Sequence, residues 1–275
     1  MLQCQPWWPR KLRRMRTTRL SGAPRGNLEN YDKYLRCDYL VHMKAKISCV
    51  MCAYNEAPRI ANILSVVINH PLIDEVIVVD DGSTDTTAEQ ILIHAKIDVI
   101  THGTNKGKSY AIATGITHAR NDLVMLLDAD LIGLTKEDIT GLAEPVLAGN
   151  ADVAMSLRKN SFRLHKFLKL DFTTGERVFS KSLVANYLDD IRSMPAFGFE
   201  IFMNRLIINR VCRIKVVQWK NVSHTRKTKK IGFWRGLVAE TYMVAQISRV
   251  LSLREIIRQN RALLALASRE TNEKG

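Results

Sequence analysis

Long hydrophobic runs are missing from this sequence: no window reaches the ~18 uninterrupted apolar residues that a membrane-spanning helix requires. The N-terminal region also lacks the apolar core of a signal peptide. Both absences argue against a secreted or integral membrane protein. We therefore expect a cytoplasmic protein which, if it meets a membrane, lies on the cytoplasmic face.

Cysteine is sparse, and the five cysteines are too scattered along 275 residues for a disulfide framework. Cys49 and Cys52 form a C-x-x-C pair, but the pair lies within an apparent strand, and no second pair completes a zinc site. We interpret both as small buried strand residues of a protein from a reducing compartment.

Acidic residues are outnumbered, with 27 Asp and Glu against 41 Lys and Arg, which leaves a formal net charge of +14. This excess predicts an anionic partner: a nucleic acid, a phosphate-rich substrate or an acidic membrane surface. Hydrophobic residues make up 46% of the chain, as in ordinary globular proteins, so a disordered chain is excluded. Charge alone does not choose among the three partners.

The first 42 residues differ in character from the rest of the sequence. The stretch from Pro6 to Gly26 contains seven basic residues, no acid, and neither a helical nor a strand period. A compact strand pattern begins directly after Met43. We therefore predict that residues 1–42 form a flexible basic arm that need not belong to the fold.

From residue 47, apolar runs alternate with amphipathic stretches, which predicts strands that take turns with helices. The helical stretches place apolar residues at i, i+3, i+4 and i+7, as in Ile60, Ile63, Leu64 and Val67. The predicted strands are ISCVM at 47–51, EVIVV at 75–79, DVITH at 98–102, LVMLL at 123–127 and DVAMSL at 152–157. This order predicts an α/β fold with an open, mostly parallel sheet covered by helices on both faces.

Three finer predictions concern the helices and the C-terminal part. Thr86 and Glu89 fit a capping box before a helix that buries Ile91 and Leu92. The stretch IKVVQWKNVSH predicts a single strand that ends at His224. Residues 232–267 follow a helical pattern with basic residues on the remaining faces.

A phosphate-binding loop is one interpretation of GTNKGKS at residues 103–109. Such a loop needs four residues between its glycines, and only three lie between Gly103 and Gly107. The interpretation also leaves the motif DDGSTD at 80–85 without a role. We therefore favour an interpretation that uses all the polar motifs together.

Four motifs occur in order along the predicted sheet: CAYNEA at 52–57, VVDDGSTD at 78–85, NKGKSYA at 105–111 and LLDAD at 126–130. This ordered set resembles the family 2 glycosyltransferases of the GT-A fold. Each motif falls at the carboxyl end of a predicted strand, where open α/β sheets bind ligands. The resemblance implies an inverting transfer of a sugar from a nucleoside diphosphate, with a UDP-sugar favoured over a GDP-sugar.

The resemblance also assigns roles to residues of the first three motifs. Residues that would hold the base and ribose are Ala53, Tyr54, Glu56, Asp80 and Asp81. Gly107 and Lys108 would approach the nucleotide or its phosphates. A tight turn that caps a helix is the simpler interpretation of DGSTD, and Asp85 fits that role.

The fourth motif, Asp128-Ala129-Asp130, follows an apolar run that predicts a buried strand. Burying unpaired carboxylates is costly, so a positive group should neutralise them. The motif resembles the Asp-x-Asp site that binds Mg²⁺ or Mn²⁺ against the diphosphate, with the ion acting as a Lewis acid. His224 is a candidate further ligand, although a lone histidine is more often structural.

Beyond Leu131 the resemblance points to Glu200, in AFGFE, as a general base that deprotonates an acceptor hydroxyl. A phosphate acceptor needs no base, and Glu200 would then organise Arg205 or nearby lysines. Polyprenyl phosphate or another membrane-borne acceptor fits the basic segments at 158–169 and 226–235. The resulting domains are a catalytic domain at 43–230, with halves 43–131 and 132–230, and a basic helix and tail at 231–275.

Two other classes of function remain open from the sequence. A nucleotidyltransferase could share the sheet and the metal site, but it should carry a glycine-rich loop where CAYNEAPR stands. A nucleic-acid-binding protein would explain the charge, yet Trp219 and Trp234 are not clustered with basic residues. An inactive family member that only binds is a third alternative. The sequence does not indicate an oligomeric state.

Overall fold

The protein is described by a computed structural model that covers residues 46–159, 161, 171–195, 198–224 and 253–272. The predicted basic arm, the basic segment at 226–235 and, apart from residues 158, 159 and 161, the basic segment at 158–169 lie outside these residues. All elements discussed below belong to the described part of the chain.

Seven strands form the main sheet, in the order β3-β2-β1-β4-β7-β6-β8. Strands β1 to β4 run parallel, β7 runs antiparallel to both β4 and β6, and β8 is parallel to β6. The strands are β1 Ile47–Ala53, β2 Ile73–Asp80, β3 Asp98–Thr101, β4 Leu123–Asp128, β6 Val153–Arg158, β7 Arg177–Ser180 and β8 Ile214–Trp219; β5 Leu131–Ile132 and β9 Ser223–His224 form a separate pair. The predicted mostly parallel sheet is confirmed.

Helices cover both faces of this sheet, as predicted. They are α1 Ala57–Val67, α2 Thr87–Leu92, α3 Lys108–His118, α4 Lys136–Leu147, α5 Leu188–Arg192, α6 Gly198–Asn209 and α7 Leu253–Asn272. One hydrophobic core joins α1, α2 and α4 to the sheet, and a second core joins α3, α5, α6 and α7 to the opposite face. None of the described helices has the length and apolar composition that crossing a bilayer requires.

The strand pleat explains why the two cores divide in this way. In β1, Cys49 and Met51 point into the first core, whereas Val50 points into the second. Burial raises the pKa of the Cys49 and Cys52 thiols, which keeps them protonated. Both cysteines lie within β1, as the sequence predicts.

The prediction of one strand from 214 to His224 is wrong. Strand β8 ends at Trp219, and the chain bends through residues 220–222 before β9 begins. Strand β9 then pairs with β5 rather than with the main sheet, with Leu131 opposite His224. Lys220 and Asn221 interrupt the apolar pattern at the bend, and Val222 resumes it, so the sequence was interpreted as one strand.

Two predictions about helices need correction. The Thr86–Glu89 capping box is absent, because Thr86 makes no side-chain cap and Asp85 accepts from the backbone N–H of Thr87. Helix α2 has only six residues, and Leu92 is 66% exposed rather than buried. In the C-terminal region, the described helix is Leu253–Asn272, and the rest of the predicted helix at 232–252 lies outside the described residues.

Candidate active site

The loops that follow β1 and β2 are joined by hydrogen bonds. The N–H of Asp81 donates to the carbonyl of Ala53 at 2.8 Å. The N–H of Asn55 donates to Ser83 Oγ at 3.0 Å, and Asn55 Oδ1 accepts from the N–H of Thr84 at 2.8 Å. Asn55 adopts a φ of 55°, a left-handed conformation that asparagine tolerates better than most residues. Asn55 was not among the predicted site residues, although it stands between the motif residues Tyr54 and Glu56.

Residues predicted to hold a nucleoside lie together along this edge of the sheet. Tyr54 is 45% exposed, whereas Asp80 is buried and accepts from the N–H of Ser83 at 3.1 Å. Glu56 precedes α1 and pairs with Arg59 at 2.6 Å. The motif DGSTD therefore does form a turn, in which Asp80 accepts from Ser83, and a helix cap, in which Asp85 accepts from Thr87. Nucleoside binding by these residues stays a prediction.

Asp81 orders the loop that leads into α3. Its carboxylate lies 2.7 Å from His102 Nδ1 and accepts from the backbone N–H groups of Lys106 at 3.0 Å and Gly107 at 2.8 Å. The buried Asp81 carboxylate thus holds the backbone immediately before Lys108 in place. The predicted contact of Asp81 with a base or ribose is untested, and this supporting role was not foreseen.

Lys108 lies between two acidic side chains at the end of β4. Its Nζ is 2.8 Å from Asp128 Oδ1 and 3.0 Å from Glu200 Oε1. Burial opposes the charged form of Lys108, but the two carboxylates raise its pKa well above the usual range. Burial likewise opposes ionisation of Asp128, yet Lys108 and Arg158 lower its pKa to about 2. The positive group expected beside the aspartates is therefore this lysine.

Glu200 lies in the first turn of α6 and is almost completely buried. Its contact with Lys108 agrees with the alternative in which it organises a nearby lysine. Arg205, the other residue suggested for that role, contacts Glu255 of α7 at 3.7 Å instead. The role of Glu200 as a general base stays a prediction.

A buried polar network supports the other side of Asp128. Arg158, at the end of β6, lies 2.7 Å from Glu176 Oε1, 3.6 Å from Asp128 Oδ2 and 3.7 Å from Asp171 Oδ2. Ser156 Oγ donates to Glu176 Oε2 at 2.7 Å. These contacts pair Arg158, only 8% exposed, with carboxylates from the segment before β7.

Strand β7, Arg177–Ser180, was not predicted from the sequence. Arg177 is fully buried, and it donates to Asn204 Oδ1 at 2.9 Å and to the carbonyl of Thr174 at 3.0 Å. Burial lowers its pKa to about 10. The charged pair Glu176-Arg177 interrupts the apolar pattern, so no strand was predicted here. The same pair, within TTGERVFS, was the signal that could have indicated a buried polar site.

Gly175 brings backbone close to Asp128 and Lys108. A Cβ at this position would lie 2.6 Å from Asp128 Oδ1 and 2.9 Å from Lys108 Nζ. Any side chain would displace one of these groups, so only glycine leaves the contact intact. The backbone before β7 therefore forms one wall of the site.

His224 is carried to the same end of the sheet by the β5–β9 pair, which sets it opposite Leu131 and next to Asp130. Burial and Arg158 lower the pKa of His224, while Asp130 and Asp128 act in the opposite direction. The lowered pKa favours neutral imidazole, which is the form that binds metals.

The donor set at this site fits a hard divalent cation. Two aspartates one residue apart supply oxygen ligands, and such ions usually take one or two carboxylates together with phosphate oxygens. Within the described residues, no group of three or more His, Cys, Asp or Glu side chains is arranged to hold a metal ion. Asp128 forms an ion pair with Lys108. A metal ion at this site would therefore depend on the two aspartates together with an anionic ligand that completes its coordination shell.

The sheet topology and the position of this site at its edge define a GT-A fold. Glucosyl-3-phosphoglycerate synthase from Mycobacterium tuberculosis, solved with Mn²⁺, UDP and glucosyl-3-phosphoglycerate, superimposes with a TM-score of 0.60 at 20% identity. The match covers 83% of this chain and 86% of that chain. Residues 48–212 also match the family model described as Glycosyl transferase family 2. The chain belongs to this family.

Curated relatives share shorter regions. Two dolichyl-phosphate beta-glucosyltransferases of Trichomonas vaginalis are 37% identical over 103 residues and 33% identical over 149 residues. The alignments cover 33% and 45% of this chain, and 31% and 44% of the respective relatives. A 4,4'-diaponeurosporenoate glycosyltransferase of Staphylococcus aureus is 36% identical over 95 residues, which cover 33% of this chain and 25% of the relative. The chain thus matches less than half the length of each.

Proposed function

We propose that this protein is a metal-dependent, inverting glycosyltransferase that moves a sugar from a nucleoside diphosphate to an acceptor. A UDP-sugar is the favoured donor, and a GDP-sugar is the second candidate. The observation that carries the proposal is the contact of Lys108 with Asp128, two residues before Asp130, at the edge where the loops after β1 and β2 also lie. Support for UDP comes from the solved structural neighbour, which binds it.

Asp128 and Asp130 would hold Mg²⁺ or Mn²⁺, with His224 as an additional ligand. When bound, the ion supplies Lewis-acid stabilisation of the departing diphosphate. The chain's own contribution is to keep Asp128 ionised through Arg158 and Lys108. Ala53, Tyr54, Glu56, Asp80 and Asp81 would position the nucleoside, while Gly107 and Ala129 would bring backbone close to it.

A polyprenyl phosphate is the acceptor that we favour. The names of two curated relatives include dolichyl phosphate, and the net charge of +14 suits an anionic acceptor. A phosphate oxygen is already ionised and needs no general base, whereas a hydroxyl acceptor would call on Glu200. The contact of Glu200 with Lys108 is compatible with either acceptor.

Association with an anionic membrane surface is part of the proposal, and it draws on α7. The inward side of this helix packs through Gln259 and Leu263, both buried. The exposed residues follow helical spacing and share the opposite side: Arg254, Ile257, Arg258, Arg261 and Ala265. Like charges at i and i+4 repel each other, and an anionic surface would relieve this repulsion.

Thermal unfolding with nucleotides tests the donor and metal assignments. We expect UDP with Mn²⁺ to raise the melting temperature, because a ligand at a hundred times its dissociation constant stabilises the native state by about 2.7 kcal/mol. GDP, CDP and ADP, each tested separately, show whether the shift is specific for UDP. The shift should require the metal and should disappear in Asp130→Asn.

A matched control is Asp189→Asn, which removes a 96% exposed carboxylate outside the site and should keep the shift. A shift with UDP that persists without metal or in Asp130→Asn would contradict the metal assignment. No shift with any of the four nucleotides would contradict the transferase proposal and favour a family member that lacks the activity.

A further inference from the structure

Lys108 and a divalent cation at the proposed metal site would share one carboxylate, that of Asp128. Lys108 Nζ lies 2.8 Å from Asp128 Oδ1, a carboxylate of the proposed metal site. An ammonium group with three donors and a metal ion cannot both approach one carboxylate closely without mutual repulsion. Occupation of Asp128 by one of them therefore weakens the binding of the other.

The contact is built into the surrounding backbone. Gly175 packs so closely that a Cβ would lie 2.9 Å from Lys108 Nζ, and the buried Glu200 carboxylate forms an ion pair with the same ammonium at 3.0 Å. The lysine is the first residue of α3, whose preceding loop is fixed by the Asp81 carboxylate. The amine is consequently held at Asp128 by contacts on several sides.

A diphosphate offers Lys108 an alternative partner. Lysine carries a compact charge on a flexible four-carbon stem, and phosphate oxygens are strong acceptors for it. We infer that Lys108 is a positioning residue that competes with the divalent metal for Asp128, so that metal binds tightly only together with the nucleoside diphosphate. This inference rests on the proposed metal site and adds an order of ligand binding to it.

The order has a thermodynamic signature. If the nucleotide relieves the competition, it tightens the binding of Mn²⁺, and by linkage Mn²⁺ tightens the binding of the nucleotide by the same factor. Replacement of Lys108 by a neutral side chain should remove most of that coupling. A lysine that only stabilised the fold would leave the coupling unchanged.

The experiment measures Mn²⁺ binding directly, by the loss of the free-ion signal in electron paramagnetic resonance, with and without UDP. We expect Lys108→Met to bind Mn²⁺ at least tenfold more tightly than the wild type when UDP is absent. Lys108→Arg, which keeps the charge, should bind as weakly as the wild type. The matched control is Lys106→Met, because Lys106 is exposed and its side chain lies over the Tyr110 ring at 4.7 Å.

Equal Mn²⁺ affinity of Lys108→Met and Lys106→Met without UDP would overturn the inference, while tight binding of Mn²⁺ with UDP would leave the proposed function standing. Absence of Mn²⁺ binding in the wild type and every variant, even with UDP, would overturn both. If Lys108→Met does not fold, a second measurement takes the place of Mn²⁺ binding by that variant: acylation of amines in the wild type, followed by mass spectrometry. Added Mn²⁺ should then increase the labelling of Lys108 but not of Lys106, and unchanged labelling of Lys108 would overturn the inference.

Discussion

Asp128, Lys108 and Glu200 come from three different elements, and their meeting decides what the site can do. The sequence marked each of them, because each lies in or beside a recognisable motif. It did not reveal that Lys108 would contact Glu200, since 92 positions separate them and α3 and α6 pack on the same face of the sheet. Similarly, Arg158 was assigned to a basic segment facing an anionic acceptor, and Glu176 was overlooked, because charges in a sequence usually indicate a solvated surface; the structure buries both as an ion pair.

Glu200→Gln distinguishes the two acceptor chemistries. With a polyprenyl phosphate acceptor, we expect kcat to fall by less than about tenfold, because an ionised phosphate needs no proton removed. With a hydroxyl acceptor, loss of a general base typically costs 10²–10⁴-fold. Steady-state kinetics with each acceptor and UDP-glucose would measure the difference.

Glu144→Gln is the control for this comparison, because Glu144 is exposed on α4 and its substitution removes the same charge. A loss of several hundredfold in Glu200→Gln with the phosphate acceptor would contradict the expectation. It would assign Glu200 to another step, such as holding Lys108 in place.

The strands and helices that the sequence predicted well are those with one dominant pattern. Strands β1, β2 and β4 are continuous apolar runs, and α1 has a clean amphipathic period, so local sequence determines them. Strand β7 begins with a buried arginine, which no hydrophobic period reveals. The break between β8 and β9 depends on pairing with β5, which is a tertiary contact. Helix length was overestimated at α2 because exposed Leu92 continued the apolar spacing.

Helix α3 depends on a glycine for its close approach to β1. A Cβ on Gly115 would lie 2.3 Å from Val50 Cγ1, so Gly115→Ala forces the helix or the valine to shift. We expect a loss of about 1–3 kcal/mol in the free energy of unfolding, as for other overpacked cores. Urea denaturation would measure it.

Gly141→Ala in α4 is the matched substitution, because the nearest atom to its added Cβ is Val217 Cγ1 at an ordinary 3.7 Å. Here the better helix propensity of alanine should stabilise the protein by up to about 1 kcal/mol. If both variants are stabilised, the close packing of α3 on β1 does not constrain the fold.

The described part of the protein has its polar site at one edge of the sheet and its basic helix on one face. Helix α7 joins the second hydrophobic core through Leu263, so its outward arginines are held in a fixed position relative to the sheet. Composition alone indicated an anionic partner, but the orientation of the arginines depends on which side of α7 packs against α6 and β8. That choice was not visible in the sequence.

The triple variant Arg254→Gln, Arg258→Gln, Arg261→Gln tests the proposed membrane surface. Each basic residue near an anionic bilayer contributes about 1 kcal/mol, so binding to vesicles of phosphatidylcholine with 30% phosphatidylglycerol, on the order of a natural acidic membrane, should fall at least tenfold. Flotation would measure it, and high salt should weaken the binding of the wild type.

A variant with the same charge change elsewhere, Lys96→Gln, Lys136→Gln and Lys220→Gln, provides the control, since all three lysines are exposed and lie outside α7. Equal loss of binding in both variants would show that net charge, and not the side of α7, governs association. Unchanged binding in both would assign the membrane contact to another part of the chain.

Strand β7 runs against its neighbours, and this reversal has a consequence for how the protein can diversify. Its first residue, Arg177, pairs with Leu126 and Met155, so the strand enters the sheet at the edge where β4 and β6 leave it. The segment that precedes it, residues 171–176, forms a wall of the site around Gly175 and packs Phe172 against the second hydrophobic core. Glu176 of that entry loop pairs with Arg158, and Gly175 leaves no room for a side chain beside Asp128, so we expect the chain to diversify around this wall and not within it.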